Sequence, residues 1–102
     1  MFSNWFTRKY FAFSSAKHTF TLIRNGETIW SKDKKWVGWA DVPLSSFGIK
    51  EIKDCSNVLK KNGVHYDVVY TSLLTRAIKS TNYILDELNC LYIPVIKDWR
   101  LN

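Results

Sequence analysis

The sequence contains no apolar run long enough to cross a bilayer, which takes about 20 consecutive apolar residues. It is also poor in cysteine: Cys55 and Cys90 lie far apart and lack the close spacing of metal ligands. We therefore predict two free thiols and no metal site, with a disulfide between them as the alternative. Free thiols are typical of a reducing compartment, so we expect a cytoplasmic protein.

The chain also lacks the dense basic stripe with interleaved aromatic residues that nucleic-acid binding requires, although its formal net charge is +6. The composition, with 46% hydrophobic and 24% charged residues, is that of a globular domain and not of a disordered chain. We expect neither a nucleic-acid nor a membrane partner. The positive charge suits a small anionic substrate.

Acidic residues are absent from residues 1–17, which carry Arg8, Lys9 and Lys17 among several aromatic residues. This bias is typical of an organelle transit peptide, but the simpler interpretation is an unstructured extension or a mis-assigned start codon. The pair Arg8-Lys9 interrupts any apolar core of a secretory signal. We predict two regions: an N-terminal extension at 1–17, transit-like or disordered, and one domain at 18–102.

Within residues 18–102 the hydrophobic pattern predicts alternating strands and helices. The first helix has Ile52, Cys55 and Leu59 on one face, with Ser45 as its N-cap. The order β-α-β-α-β is typical of an α/β fold with a mostly parallel sheet. The predicted strands are 18–23, 67–71 and 92–96, the predicted helices are 46–61 and 73–88, and a loop covers 31–44.

The dipeptide Asn25-Gly26 supports two interpretations. Both residues tolerate a positive φ, so this dipeptide between apolar runs predicts a β-hairpin with a second strand at about 27–30. Alternatively, a strand that ends at Arg24 and then breaks places a guanidinium and free backbone N–H groups at the sheet edge. That arrangement predicts an anion site.

The wider sequence favours the anion site, because motifs in a fixed order run from about Phe20 to the last residue. They resemble the cofactor-dependent phosphoglycerate mutases of the histidine phosphatase superfamily, over the N-terminal part of that family only. The motifs are Leu22-Ile23-Arg24-x-Gly26-Glu27-Thr28, Gly38-Trp39-x-Asp41, Tyr70-Thr71-Ser72-x-x-x-Arg76-Ala77 and Trp99-Arg100-Leu101-Asn102.

The resemblance implies a truncated phosphoglycerate-mutase-like three-layer sandwich. In the family, a strand from the later half lies between the first two strands of this chain. The implied family activity is that of a glycolytic isomerase, which interconverts 3-phosphoglycerate and 2-phosphoglycerate through a phosphohistidine. The implied cofactor is 2,3-bisphosphoglycerate.

Asn25 occupies the position of the family's phospho-acceptor histidine. Its amide nitrogen lone pair is delocalised and cannot attack phosphorus, so we expect the chemistry to be lost and the cofactor to have no function here. The resemblance assigns substrate binding to Arg24, Ser31, Gly38 and Arg76. Arg24 and Arg76 follow the first two strands, so with a helix N-terminus they predict a phosphate pocket at the carboxyl end of the sheet.

Three functions remain open from the sequence. They are an active mutase, a non-catalytic homologue that binds a small phosphorylated acid, and a non-functional truncated or pseudogene-type fragment. His18 and His65 precede strands, on the opposite side of the sheet from the site, and are predicted to be surface histidines. We expect this phosphoglycerate mutase family protein to be inactive, and either to self-associate or to pair with a full-length homologue.

Overall fold

The computed structural model describes residues 10–14, 18–33 and 35–102 of the chain. It confirms an α/β fold with a parallel strand pair and two long helices. No helix within these ranges is long and apolar enough to cross a membrane. The elements in chain order are β1 (Tyr10–Ser14), β2 (Thr19–Ile23), α1 (Ile29–Lys32), α2 (Ser46–Lys61), β3 (Val69–Thr71), α3 (Thr75–Glu87), β4 (Val95–Lys97) and a 3-10 turn (Trp99–Leu101).

Helix α2 has the bounds that the sequence predicted. Ser45 is extended, with φ −74° and ψ 165°, and its hydroxyl accepts a hydrogen bond from the Gly48 amide at 3.0 Å. This satisfies one of the amides that a helix N-terminus leaves unpaired. Lys60 and Lys61 lie in the last turn, and Gly63 takes a φ of +65° just beyond it, which ends the helix.

The other predicted elements exist but are shorter. Leu74 is extended, so α3 begins at Thr75 and not at residue 73. Pro94 lies outside β4, although its carbonyl accepts a hydrogen bond from Val69 at 3.0 Å. Proline has no amide to donate to the strand ladder, which is the reason that β4 starts after it.

Within the part of the chain that the structure describes, the strands form two two-stranded sheets. β3 and β4 are parallel, with Val69 opposite Val95 and Thr71 opposite Lys97. β2 instead pairs with β1 in the antiparallel sense, from Tyr10 opposite Ile23 to Ser14 opposite Thr19. Residues 10–14 therefore form a strand within the predicted extension. The boundary after residue 17 and the targeting hypothesis stay predictions.

The core lies between the two long helices and the inner faces of the strands. One cluster joins α2 to α3 and includes Ile23 of β2, and the other joins α3 to β3 and β4. The buried members of the two clusters are Ile52, Cys55, Leu59 and Ile84 in the first, and Leu85, Cys90 and Ile93 in the second.

Both cysteines are free and buried, which confirms the predicted thiols. Burial raises the pKa of the Cys55 thiol to about 11, so it stays protonated and unreactive at neutral pH. Among the described residues no group of three or more potential metal ligands comes together.

Candidate functional site

The segment after β2 does not form the alternative hairpin. Residues 24–27 have no regular structure, Thr28 makes an isolated bridge to Leu44, and α1 begins at Ile29. The hairpin interpretation of Asn25-Gly26 is therefore wrong. Helix α1 also takes up the start of the predicted loop at 31–44, since Ser31 and Lys32 are helical. A four-residue helix is too short for hydrophobic periodicity to reveal it.

A backbone-to-backbone contact fixes this segment on the first turn of α2. A Cβ added at Gly26 would lie 2.2 Å from the carbonyl oxygen of Gly48, and one added at Gly48 would lie 2.0 Å from that of Glu27. Both distances are far inside van der Waals contact. Glycine is therefore required at both positions, because any side chain would push the two backbones apart.

Hydrogen bonds to Glu27 strengthen the same contact. The Ser45 amide donates to the Glu27 carbonyl at 2.8 Å, and the Ser45 hydroxyl donates to Glu27 Oε1 at 2.9 Å. The Glu27 amide donates to Glu51 Oε1, on α2, at 3.0 Å. The backbone that carries Arg24 and Asn25 is thus held by the N-terminal half of α2.

Asn25, at the predicted acceptor position, is half-buried, and its Nδ2 donates to the Gly26 carbonyl at 2.7 Å. Arg24 is exposed, and its side chain makes no hydrogen bond or ion pair with any other residue in the described ranges. The Arg24 guanidinium is therefore available to an anion from solution, whereas part of the Asn25 amide is already engaged.

Arg76 is buried and binds the protein itself. Its guanidinium donates to the carbonyl oxygens of Gly38 and Ala40, both at 2.7 Å. Two predicted site residues, Gly38 and Arg76, therefore do come together, but through a hydrogen bond that holds the loop at 38–40. A guanidinium has five N–H groups, so three remain for another acceptor.

The N-terminus of α3 is capped by side chains from elsewhere in the chain. Asp41 accepts hydrogen bonds from the Thr75 amide at 2.7 Å and from the Thr75 hydroxyl at 2.8 Å. The Leu73 amide donates to Asn102 Oδ1 at 3.1 Å. The sequence predicted a phosphate beside this helix N-terminus, but the Leu73 and Thr75 amides already have protein acceptors.

These acceptors also set the charge at the end of α3. The Thr75 amide, then its hydroxyl, and the nearby Arg76 charge hold the pKa of Asp41 below its usual range. A negative carboxylate therefore lies where an anionic ligand would have to approach. Sequence reasoning missed this role of Asp41, because its partner lies 34 residues further along the chain.

The loop at 38–40, whose carbonyls accept hydrogen bonds from Arg76, also contacts the 3-10 turn. Trp39 and Trp99 meet edge to face, with ring centroids 6.2 Å apart and an interplanar angle of 64°. Both side chains remain largely exposed. The pair forms an apolar surface beside the loop. No local sequence pattern indicates a role for either tryptophan.

The remaining predicted residues separate into two groups. Ser31 is a residue of α1, and only its backbone is in the part of the chain that the structure describes. His18 and His65 are exposed and precede β2 and β3, as predicted. Within the described residues, therefore, neither the segment after β2 nor the segment after β3 carries an imidazole.

Comparison with known proteins places these features in a family context. A model of the histidine phosphatase superfamily, branch 1, matches residues 20–102. A 2,3-bisphosphoglycerate-dependent phosphoglycerate mutase of Staphylococcus saprophyticus is 49% identical over 81 residues, which are 79% of this chain and 36% of that protein. One of Leifsonia xyli is 44% identical over 88 residues, covering 86% and 35%.

Similarity to a solved structure agrees with these matches. The crystal structure of phosphoglycerate mutase from Bacillus anthracis superposes with a TM-score of 0.70 at 28% identity. The superposition covers 76% of this chain and 34% of that one. The chain thus spans about a third of the length of the relatives that it matches, at their N-terminal part.

Proposed function

This chain belongs to the histidine phosphatase superfamily, and from that premise we propose that it is a phosphoglycerate mutase homologue without phosphoryl-transfer activity. We propose that it retains weak binding of small phosphorylated acids such as phosphoglycerate. The observation that carries the proposal is Asn25, which stands where the resemblance to the mutases calls for the phospho-acceptor histidine.

Phosphoryl transfer through a protein side chain needs a nucleophile that attacks phosphorus and later leaves. The Asn25 amide donates a hydrogen bond through Nδ2 to the Gly26 carbonyl, which is the behaviour of a neutral donor and not of a nucleophile. The residues present therefore do not fit 2,3-bisphosphoglycerate as a phosphoryl donor. The described segment after β2 carries no imidazole that could accept a phosphoryl group from this cofactor.

Arg24 supports the binding part of the proposal. It is exposed and follows β2 directly, on a backbone held to α2 by Gly26 and Gly48. A charge-assisted hydrogen bond from such a group contributes about 1.5–3 kcal/mol. Arg76 can contribute only the three N–H groups that do not donate to the Gly38 and Ala40 carbonyls. The N-terminus of α3 adds little, because its Thr75 amide already donates to Asp41. We therefore expect a dissociation constant of about 1 mM.

The activity test is incubation of the purified chain with 3-phosphoglycerate and 2,3-bisphosphoglycerate. We expect no 2-phosphoglycerate above background and no acid-labile phosphoprotein. A full-length mutase relative is the positive control. Detection of phosphohistidine or of turnover on this chain would refute the proposal.

The binding test is isothermal titration of 3-phosphoglycerate into the wild-type chain and into Arg24→Ala. We expect millimolar binding that Arg24→Ala removes. Arg100→Ala is the matched control, because Arg100 is exposed but paired with Asp98, and it should bind as the wild type does. Equal binding by Arg24→Ala and wild type would show that Arg24 is not the anion site.

The two cysteines support a proposal about cellular location. Two buried, unpaired thiols are typical of proteins that stay in a reducing compartment, and we propose the cytoplasm.

A further inference from the structure

The chain contains two Asn-Gly dipeptides, Asn25-Gly26 in the candidate site and Asn62-Gly63 at the end of α2. Asparagine is a chemically labile residue. It is most labile before glycine, which has no side chain to hinder attack by its backbone nitrogen on the asparagine amide. The product is aspartate or isoaspartate, and each carries a negative charge. The two dipeptides have the same sequence but differ in the hydrogen bonds of their reacting groups.

The reacting groups of Asn62-Gly63 are held by hydrogen bonds. The Gly63 amide donates to the Lys60 carbonyl at 3.1 Å, and Asn62 Nδ2 donates to the Val58 carbonyl at 2.7 Å. The Asn62 side chain is therefore turned back along α2. Attack by the Gly63 nitrogen would first have to break both bonds, so this dipeptide is protected although Asn62 is exposed.

The reacting groups of Asn25-Gly26 are held much less. Residues 24–27 have no regular structure, and within the described ranges the Gly26 amide donates no hydrogen bond. Asn25 Nδ2 donates to the Gly26 carbonyl at 2.7 Å, so the side-chain amide is already folded over Gly26. The close contact with Gly48 lies on the side of Gly26 where a Cβ would be. It fixes Gly26 in place without engaging its amide as a donor.

We propose that Asn25 is a site of spontaneous deamidation in the folded chain, and that the reaction ends anion binding at Arg24. Hydroxide from water removes the Gly26 amide proton, and the Gly26 nitrogen forms a bond to Asn25 Cγ. The bond from Cγ to Nδ2 breaks, and the side-chain nitrogen leaves as ammonia. The cyclic imide that results adds one water molecule and opens to aspartate or isoaspartate. No oxidation or reduction takes place, and water is the only co-reactant.

Either product changes the candidate site. An aspartate at this position places a carboxylate beside Arg24, where it attracts the guanidinium and repels a phosphate. An isoaspartate also adds a methylene group to the backbone before Gly26, which shifts Gly26 out of its contact with Gly48. The loss of anion binding rests on the proposed function, whereas the deamidation itself does not.

The reaction is tested by incubating the folded wild-type chain at neutral pH, below its melting temperature. Tryptic cleavage after Arg24 and Lys61 separates the two asparagines into different peptides, and mass spectrometry measures the conversion of each. We expect Asn25 to react about tenfold faster than Asn62, because two hydrogen bonds protect the latter. In concentrated guanidinium chloride, which unfolds both segments, the two rates should become similar.

Two outcomes of this incubation would overturn the proposal. One is an Asn25 that stays unconverted in the folded chain. The other is conversion of Asn62 that is as fast as that of Asn25, because the hydrogen bonds of the two dipeptides would then not control the reaction.

The consequence is tested by isothermal titration with 3-phosphoglycerate. Asn25→Asp should remove the millimolar binding, whereas Asn62→Asp, the same change at the other dipeptide, should bind as the wild type does. Binding by the incubated wild-type chain should decrease in proportion to the conversion of Asn25. Equal binding by Asn25→Asp and wild type would show that deamidation does not end anion binding. A fresh wild-type chain that binds no 3-phosphoglycerate would refute the proposed function, while mass spectrometry would still decide whether Asn25 is deamidated.

Discussion

At the scale of single residues, the contact between Gly26 and Gly48 shows how the candidate site is positioned. Each glycine leaves room for a backbone carbonyl that a Cβ would overlap. Gly26 lies within the motif that carries the family resemblance. Gly48 lies inside α2, where glycine usually weakens a helix.

Gly48→Ala tests this contact, because helix propensity and packing predict opposite signs. Propensity alone would stabilise the helix by about 1 kcal/mol. We expect the clash with the Glu27 carbonyl to dominate and to lower the free energy of unfolding by about 1–3 kcal/mol, as measured by urea denaturation.

Asn57→Ala is the matched control, at an exposed position of the same helix. It should change stability by less than about 0.7 kcal/mol, in the stabilising direction. Stabilisation by Gly48→Ala would show that the two backbones are not in contact.

Residues whose role depends on their own neighbours were predictable from sequence, and those with distant partners were not. Ser45 was identified as the cap of α2 because its acceptor role needs only the amide three residues on. Cys55 was placed in the core by helical spacing. Arg76 was predicted to bind a phosphate. No local sequence pattern indicated that two of its N–H groups would donate to the Gly38 and Ala40 carbonyls.

At the scale of elements, α3 depends on Asp41 for its start. A depressed pKa in the folded state means that the ionised carboxylate stabilises the fold above the unfolded pKa of about 3.9. This stabilisation is lost as the pH falls through the lower folded pKa. We therefore expect the wild-type melting temperature to decrease between pH 5 and pH 2, in part because Asp41 becomes protonated.

Asp41→Asn should lower the melting temperature at pH 7 and show a smaller decrease between pH 5 and pH 2 than the wild type. Asp54→Asn, at an exposed position on α2, is the control and should retain the wild-type dependence. An Asp41→Asn profile parallel to that of the wild type would argue against the cap. Differential scanning calorimetry at four or five pH values measures the effect.

Element order was predictable, whereas strand partners were not. The bounds of α2 and the order of three strands and two long helices follow from hydrophobic spacing, capping residues and Asn62-Gly63. The pairing of β2 with residues 10–14 did not follow, because composition there favoured an extension. Pairing depends on contacts between segments, and no local pattern specifies which edge a strand will use.

At the scale of the whole molecule, α2 and α3 pack against one face of the strands, and within the described residues the apolar side chains on the other face stay largely exposed. Phe20, Leu22 and Tyr70 remain more than half exposed. Folding therefore removes less apolar area from water than it normally does. Ordinary domains have a free energy of unfolding of only about 5–15 kcal/mol. The burial energy forgone at an exposed apolar face is a large fraction of that total. We predict that this exposed apolar face leaves the isolated chain only marginally stable.

Thermal unfolding of the isolated chain, followed by circular dichroism, measures this stability. We predict a broad transition with a midpoint below about 45 °C, the lower end for ordinary domains. A sharp, cooperative transition above about 60 °C for the isolated monomer would overturn this prediction, because the chain would then be fully stable despite its exposed apolar face.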